Sequence, residues 1–499
     1  MRRRCWLDAG IGLALFAGTI AYLSQWPHNL GSSDEGIYLY QAKRLLDGEV
    51  FYRDVFDIIT PGSHYLMAAL FAIFGTTITT ARTANAVVHG CIAVLAYATG
   101  RAVNLSPALA ILSPVAYLAL CQAAWPFASP HWVSTALTMV ALLLAVRGGW
   151  RHRRAAAAAL GASVGALIMV QQQKGALMAL AMNVLAVLLW RRPSRLRPRA
   201  QLLWLNAGLL AFVVPGFLML VAQSGARPII YALVQHTLGN YRHHHDAAFG
   251  SVPLLTGGFA AYTLPLLLKY MPSILVVTGL RSIVWRSATE PGVLLPLAAL
   301  FVFGLFSLAS VAYFPDFIHI GFIAVILFIA AVETACWVIR PLPGRWVGLV
   351  TSTMTLAVLI GLGVQLARNL ARAQREYPVS LDTAFGRIDF PNRNEPGFVE
   401  TTERLMAGRE PRELFAYPFY ASLYLMTDTK NPTPYQFLFP DYSGPKQVEE
   451  VIGILERRKV PVVFAFSAFL PKDDALIAYL RQRYDAADEH KIFWTRRPG

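Results

Sequence analysis

Charge is scarce in this 499-residue chain: 15% of its residues are Asp, Glu, Lys or Arg, against roughly 25% in an average globular protein. That shortage excludes a soluble globular enzyme, and a disordered chain, which lives on charge, is excluded with it. Cysteine is scarcer still. Cys5, Cys91, Cys121 and Cys336 lie in or beside apolar runs and form no CxxC pair, so neither a disulfide framework nor a zinc site is supported. There is no Gly-rich phosphate loop and no repeat of fixed period. The only low-complexity block is the Ala run at 155–159.

What the chain has is apolar length. Hydrophobic residues make up 56% of it, gathered in runs of about 20, each long enough to cross a ~30 Å hydrocarbon layer. The runs predict eleven spans: 6–26, 78–100, 107–124, 131–147, 155–172, 175–190, 202–222, 264–285, 292–313, 319–339 and 346–367. Residues 1–367 hold 25 bases and 11 acids, and residues 368–499 hold 19 and 18. The excess bases sit in short loops, at Arg2–Arg4, Arg101, Arg147–Arg154, Arg191–Arg199, Arg281–Arg286 and Arg340–Arg345. That is the positive-inside pattern, which puts the N-terminus in the cytoplasm and the tail outside it. The charge therefore reports orientation and not a nucleic-acid partner. The segment 249–285, interrupted by Pro253, Pro265, Lys269 and Pro272, is the weak point of this parity. The first span follows Met-Arg-Arg-Arg-Cys but has no small-residue cleavage site, and reads as a retained anchor.

Six of the eleven acids crowd into one loop after the first span: Asp34, Glu35, Asp47, Glu49, Asp54 and Asp57. Ser32 and Glu35 have capping-box spacing. Tyr38, Ala42, Leu45 and Leu46 then make one apolar stripe, and Gly48 supplies the stop. The spacing predicts a short amphipathic helix lying flat on the outer membrane surface. Acids at a helix start also complement its dipole, so Asp34 and Glu35 alone prove no chemistry.

The wider string carries more. Asp34-Glu35-Gly-Ile-Tyr38, Ala42, Leu45-Leu46, Gly48, Tyr52-Arg53-Asp54, Pro61-Gly62, Tyr65 and Phe74-Gly75 resembles the first outer loop of GT-C glycosyltransferases. The relatives it is most similar to are protein O-mannosyltransferases, lipid A aminoarabinose transferases and Rgt-type lipopolysaccharide-core transferases. Arg82 and Gln173-Lys174-Gly175 extend the resemblance. It implies a polytopic all-α membrane protein of GT-C type with a small C-terminal α/β domain. Residues 1–367 would form the transmembrane part, with a catalytic outer loop at 27–77, and 368–499 the extracytoplasmic domain. It further implies transfer of a sugar from a polyprenyl-phosphate carrier to an acceptor outside the cytoplasm, with Asp34 as general base and Glu35 as an orienting or pairing carboxylate. A bacterial plasma membrane is the implied location.

The chain departs from the aminoarabinose transferases at Ile37 and Thr60, where they have cations, and at Ser129-Pro130-His131, where they have an acid. Phosphate binding must then come from elsewhere, and the donor sugar and any divalent metal requirement are left open. Lys174, Arg82 and Arg53 are the candidate phosphate ligands, with snorkelling to the interface as the plain alternative for Lys174 and Arg82. Tyr38, His64, Tyr65, His131, Asp316 and His319 are candidate cavity residues. The run His243-His244-His245-Asp246 reads as a loop over the site, since three consecutive residues cannot all face one ion in a regular element. Glu333 reads equally as a packing or a chemical residue.

In the tail, 413–419, 461–466 and 491–496 predict strands, and 445–459 and 472–484 predict amphipathic helices. This domain is a lid or acceptor platform, or a scaffold. Two rival classes stand beside an enzyme. A transporter or lipid-carrier flippase usually shows repeated halves and charges near the midplane, which this chain lacks. A non-catalytic envelope-assembly protein would keep the same scaffold.

Overall fold

The computed structural model describes residues 2–30, 33–192, 194–240, 272–284, 291–439, 442–466, 470–471 and 473–498. The start of the expected span 264–285, Ser32 of the expected capping box, and Arg242, His243–His245 and Lys269 lie outside them.

Twelve helices form most of the membrane part and the loop at 27–77. They are α1 (Arg2–Leu23), α2 (Ser33–Leu46), α3 (Gly62–Phe74), α4 (Ile78–Ala102), α5 (Pro107–Ala124), α6 (Pro130–Arg147), α7 (Arg154–Val170), α8 (Gln172–Leu188), α9 (Pro198–Ser224), α10 (Pro272–Val284), α11 (Pro291–Ser310) and α12 (Ala324–Ile339). A thirteenth, α13 (Gly344–Glu376), leads into the tail. Six helices among the described residues (in α1, α4, α5, α6, α9 and α13) are long and apolar enough to cross a membrane. Shorter apolar helices stand at α7, α10, α11 and α12. The helix at the expected span 175–190 begins earlier, at Gln172, because Gln171 is extended (φ −153°, ψ 95°) and breaks the chain from α7. The outer surfaces of α9 and α13 expose Leu203, Phe212, Leu218, Trp346, Leu356 and Ile360, as lipid-facing helices do.

Small residues let these helices close. A Cβ on Gly161 of α7 would collide with the Leu205 carbonyl of α9, and one on Gly208 would collide with the Ala158 carbonyl. Such backbone contact is what membrane helices use where hydrophobicity gives no drive to associate. Arg281 corrects the sequence reading. It does not lie in a basic loop but is buried within α10, paired with Glu333 of α12 at 2.5 and 3.0 Å. Glu333 thus has a paired, packing role.

The tail is an α/β unit. A hairpin of β1 (Val379–Thr383) and β2 (Gly386–Phe390) precedes α14 (Asn394–Met406). Then follow β3 (Leu414–Tyr417), α15 (Ala421–Met426), α16 (Pro445–Arg458), β4 (Val462–Ala465), α17 (Ala475–Arg483), β5 (Tyr484–Ala486) and β6 (Phe493–Arg496). The four-stranded sheet has the order β3-β4-β6-β5; β3 and β4 run parallel and the other pairs antiparallel. Three of its strands and the helices α16 and α17 fall where periodicity put them. The hairpin, α14, α15 and β5 are additions. The tail also shares one hydrophobic core with the loop at 27–77, joining Tyr38, Leu39 and Tyr40 to Phe385, Tyr424 and Phe464.

Candidate active site

The acidic helix α2 presents its two carboxylates in opposite ways. Asp34 is exposed on the first turn, whereas Glu35 is fully buried. Glu35 accepts from both guanidinium nitrogens of Arg82, one of them at 2.9 Å, and from the Ala128 N–H at 2.7 Å. Arg82 also donates to the Asn29 carbonyl. Burial pushes the Glu35 carboxyl upward, opposed by the Arg82 charge and these donors. The pair is a clamp joining α2 to the start of α4 and to the turn before α6. Arg82, one of the phosphate candidates, is therefore committed to Glu35.

A second carboxylate accompanies Asp34. Asp57 accepts the N–H groups of Ile58 (2.6 Å) and Ile59 (3.2 Å). Burial and the nearby Asp34 charge push its pKa up to about 6, against the bonds it accepts. The turn that carries it is tied to the membrane helices. Gln172 donates to the Ile58 carbonyl at 2.7 Å and accepts the Thr60 N–H at 3.0 Å, while Thr60 Oγ1 donates to the Ile168 carbonyl at 2.7 Å. Gly62 completes the fit, because a Cβ there would strike the Met169 carbonyl.

Beyond Gln172 lies a polar cluster around Lys174. Lys174 is buried, and its Nζ donates to Ser134 Oγ (3.2 Å) and Thr135 Oγ1 (3.3 Å). An ammonium whose bonding partners are hydroxyls is poorly compensated and well disposed toward an anion. His131 accepts from Gln171 Nε2 at 3.2 Å and stacks on Phe322, with ring centroids 4.5 Å apart. His319 meets His131 edge-on at 5.5 Å and donates its Nδ1–H to the buried Asp316 at 2.6 Å. Asp316 also caps the short helix Phe317–Gly321 through the His319 N–H. Thr135, Thr138, Lys174, Ser307 and Phe322 border a crevice too narrow to admit a water molecule.

Lys174, His131, Asp316 and His319 thus gather in one place, and the Asp57 turn joins them to the Asp34 loop. Other candidates fall elsewhere. Arg53 is exposed and bound to its neighbour Asp54 at 2.7 Å. Tyr38 and His64 are buried where α2 meets α3, Tyr38 donating to the Ser63 carbonyl at 3.1 Å. Tyr65 donates to Gln223 at 2.9 Å. Ser134, Thr135, Gln171 and Gln172 escaped the sequence reading; the polar run at 171–173 beside Lys174 was the available signal. Asp57 was visible as a member of the acid cluster but was given no role. Among the described residues no three His, Cys, Asp or Glu side chains gather as a metal site.

No protein-family model and no curated protein matches the chain. Solved structures do. ArnT from Cupriavidus metallidurans bound to undecaprenyl phosphate matches with a TM-score of 0.62 at 13% identity, over 99% of this chain and 97% of that one. Its apo state matches with a TM-score of 0.55, also at 13% identity, over 99% and 98%. The chain shares the fold of these ArnT structures. The likeness runs from α1 through the tail sheet, so the multi-pass helical part and the α/β unit belong to one architecture.

Proposed function

We propose that the chain is an integral-membrane glycosyltransferase that moves a sugar from a polyprenyl-phosphate carrier to a hydroxyl acceptor outside the cytoplasm. In this reading the protein crosses the bilayer eleven times, with its N-terminus cytoplasmic and residues 368–499 as the extracytoplasmic domain. The observation that carries it is a single constellation: exposed Asp34 and its neighbour Asp57, joined through one turn to buried Lys174. The matching ArnT structure holds undecaprenyl phosphate, which supports a polyprenyl-phosphate ligand in the same fold.

The chemistry follows from the charges. Asp34 takes the proton of the acceptor hydroxyl, whose oxygen attacks the anomeric carbon. The bond from that carbon to the carrier phosphate oxygen breaks, with inversion, and the phosphate leaves with the electron pair. Lys174 offsets the negative charge that develops there. Asp57 stands close enough to Asp34 for the charge of Asp34 to raise the pKa of Asp57. Glu35 orients the acidic turn through Arg82.

The test is purified full-length protein incubated with a panel of polyprenyl-phosphate sugars and hydroxyl acceptors, with release of free carrier phosphate as the readout. Asp34→Asn should lower turnover by about 10²–10⁴-fold while carrier binding persists; undiminished turnover removes the base. Lys174→Ala should weaken binding of the carrier lipid more than that of the acceptor, and equal affinity for the carrier removes its role. Release from no donor in the panel would favour a flippase or an assembly protein.

A further inference from the structure

At the other end of the helices stands a second cavity, of about 480 Å³, to which the reaction above assigns nothing. It lies where α1, α4, α6 and α11 end or begin, and its lining includes Asp8, Arg101, Asn104, Arg147, Val146 and Leu295. Arg101 stands about 28 Å along α4 from Arg82, at ~1.5 Å per residue, so the cavity opens on the face opposite the Asp34 loop.

Its charges are arranged for one anion. Asp8 accepts from Arg101 Nε at 2.8 Å and from the Tyr97 hydroxyl at 2.6 Å. That pair balances itself and holds the wall in shape. Arg147 has no carboxylate within ion-pair distance among the described residues, which leaves the lining one positive charge in excess. Asn104 adds an amide on a left-handed turn (φ +67°), a conformation Asn tolerates. Leu295, with Ala98 and Ala102, supplies an apolar flank. A fully aqueous anion gains nothing from such a flank, whereas an amphiphile at the end of a membrane helix gains from both surfaces.

We propose that this cavity binds the headgroup of a monoanionic phosphodiester lipid. The single excess positive charge matches one phosphodiester, which carries one negative charge. Arg147 donates to the phosphate oxygens, Asn104 adds a neutral donor, and the lipid chains leave along Leu295. A fork of guanidinium donors suits phosphate better than an ammonium does. The site stands apart from the transfer reaction, so an Asp34→Asn protein binds the lipid as the wild type does.

Purified full-length protein in delipidated detergent micelles provides the test. It is titrated with short-chain phosphatidylglycerol, with phosphatidylcholine of the same chain length, and with inorganic phosphate, and bound lipid is counted by native mass spectrometry. Phosphatidylglycerol should saturate a single class of site, with phosphatidylcholine and phosphate at least tenfold weaker. Arg147→Gln should weaken phosphatidylglycerol by roughly tenfold or more. Because Arg147 is exposed, its thermal unfolding should match the wild type. Arg409→Gln, on the exposed surface of the tail, should leave binding unchanged. Equal binding by Arg147→Gln overturns the site. Equal binding of phosphatidylcholine overturns the charge match, and equal binding of inorganic phosphate overturns the lipid.

Discussion

Adjacent residues on one helical turn part company here. Asp34 faces water, and Glu35 is buried on Arg82. The sequence reading recognised both as a pair of acids. It gave Asp34 the base role and Glu35 an orienting or pairing one through the resemblance alone, because which of two neighbours turns inward depends on where α4 passes, a tertiary fact. The burial yields a stability prediction. Glu35→Gln leaves the Arg82 charge buried without its counter-charge, and the loss should be about 3 kcal/mol, read as a lower unfolding temperature with the helical signal intact. Asp57 titrates in a useful range. Its folded pKa of about 6 lies above the ordinary value of 3.8, so folding favours its protonated form. Stability therefore falls as pH rises from about 4 to about 6, and the deficit stays constant above that. Asp57→Asn should melt higher than wild type at pH 7.5 and lose that advantage by pH 4, as a pair of melting curves would record.

Elements were read more reliably than residues. Long apolar runs and the basic loops between them marked most helices to within a few residues, because hydrocarbon thickness dictates length. Interruptions were harder to place. The break between α7 and α8 depends on one extended residue, Gln171, whose side chain is committed to His131. The close approach of α7 and α9 was likewise invisible as a pairing, although Gly161 and Gly208 were plain in the sequence. Gly161→Val should force these helices apart, since the obstacle is backbone and cannot rotate away. The expected result is a fall of at least several degrees in melting temperature in detergent, with Gly348→Val, where space is open, as the control that stays near wild type.

For the whole molecule, composition and charge asymmetry identified a multi-pass chain, and the outer-loop string identified its architecture. The union of loop and tail was not legible, because their shared core joins residues nearly 400 positions apart and no local period reports that. Single cysteines replacing Arg147 and Lys430 in a cysteine-free background should label from opposite sides of sealed vesicles, with Lys430 on the non-cytosolic side; labelling of both from one side would invert the proposed topology. The contact beneath the acidic turn has its own consequence. Gly36 leaves no room for a side chain because the Ser422 backbone rests against it, so α15 acts as a footing for the first turn of α2. Shortening the protein from its C-terminal end would remove that footing, and a truncated protein could lose all turnover although the missing piece had never met a substrate.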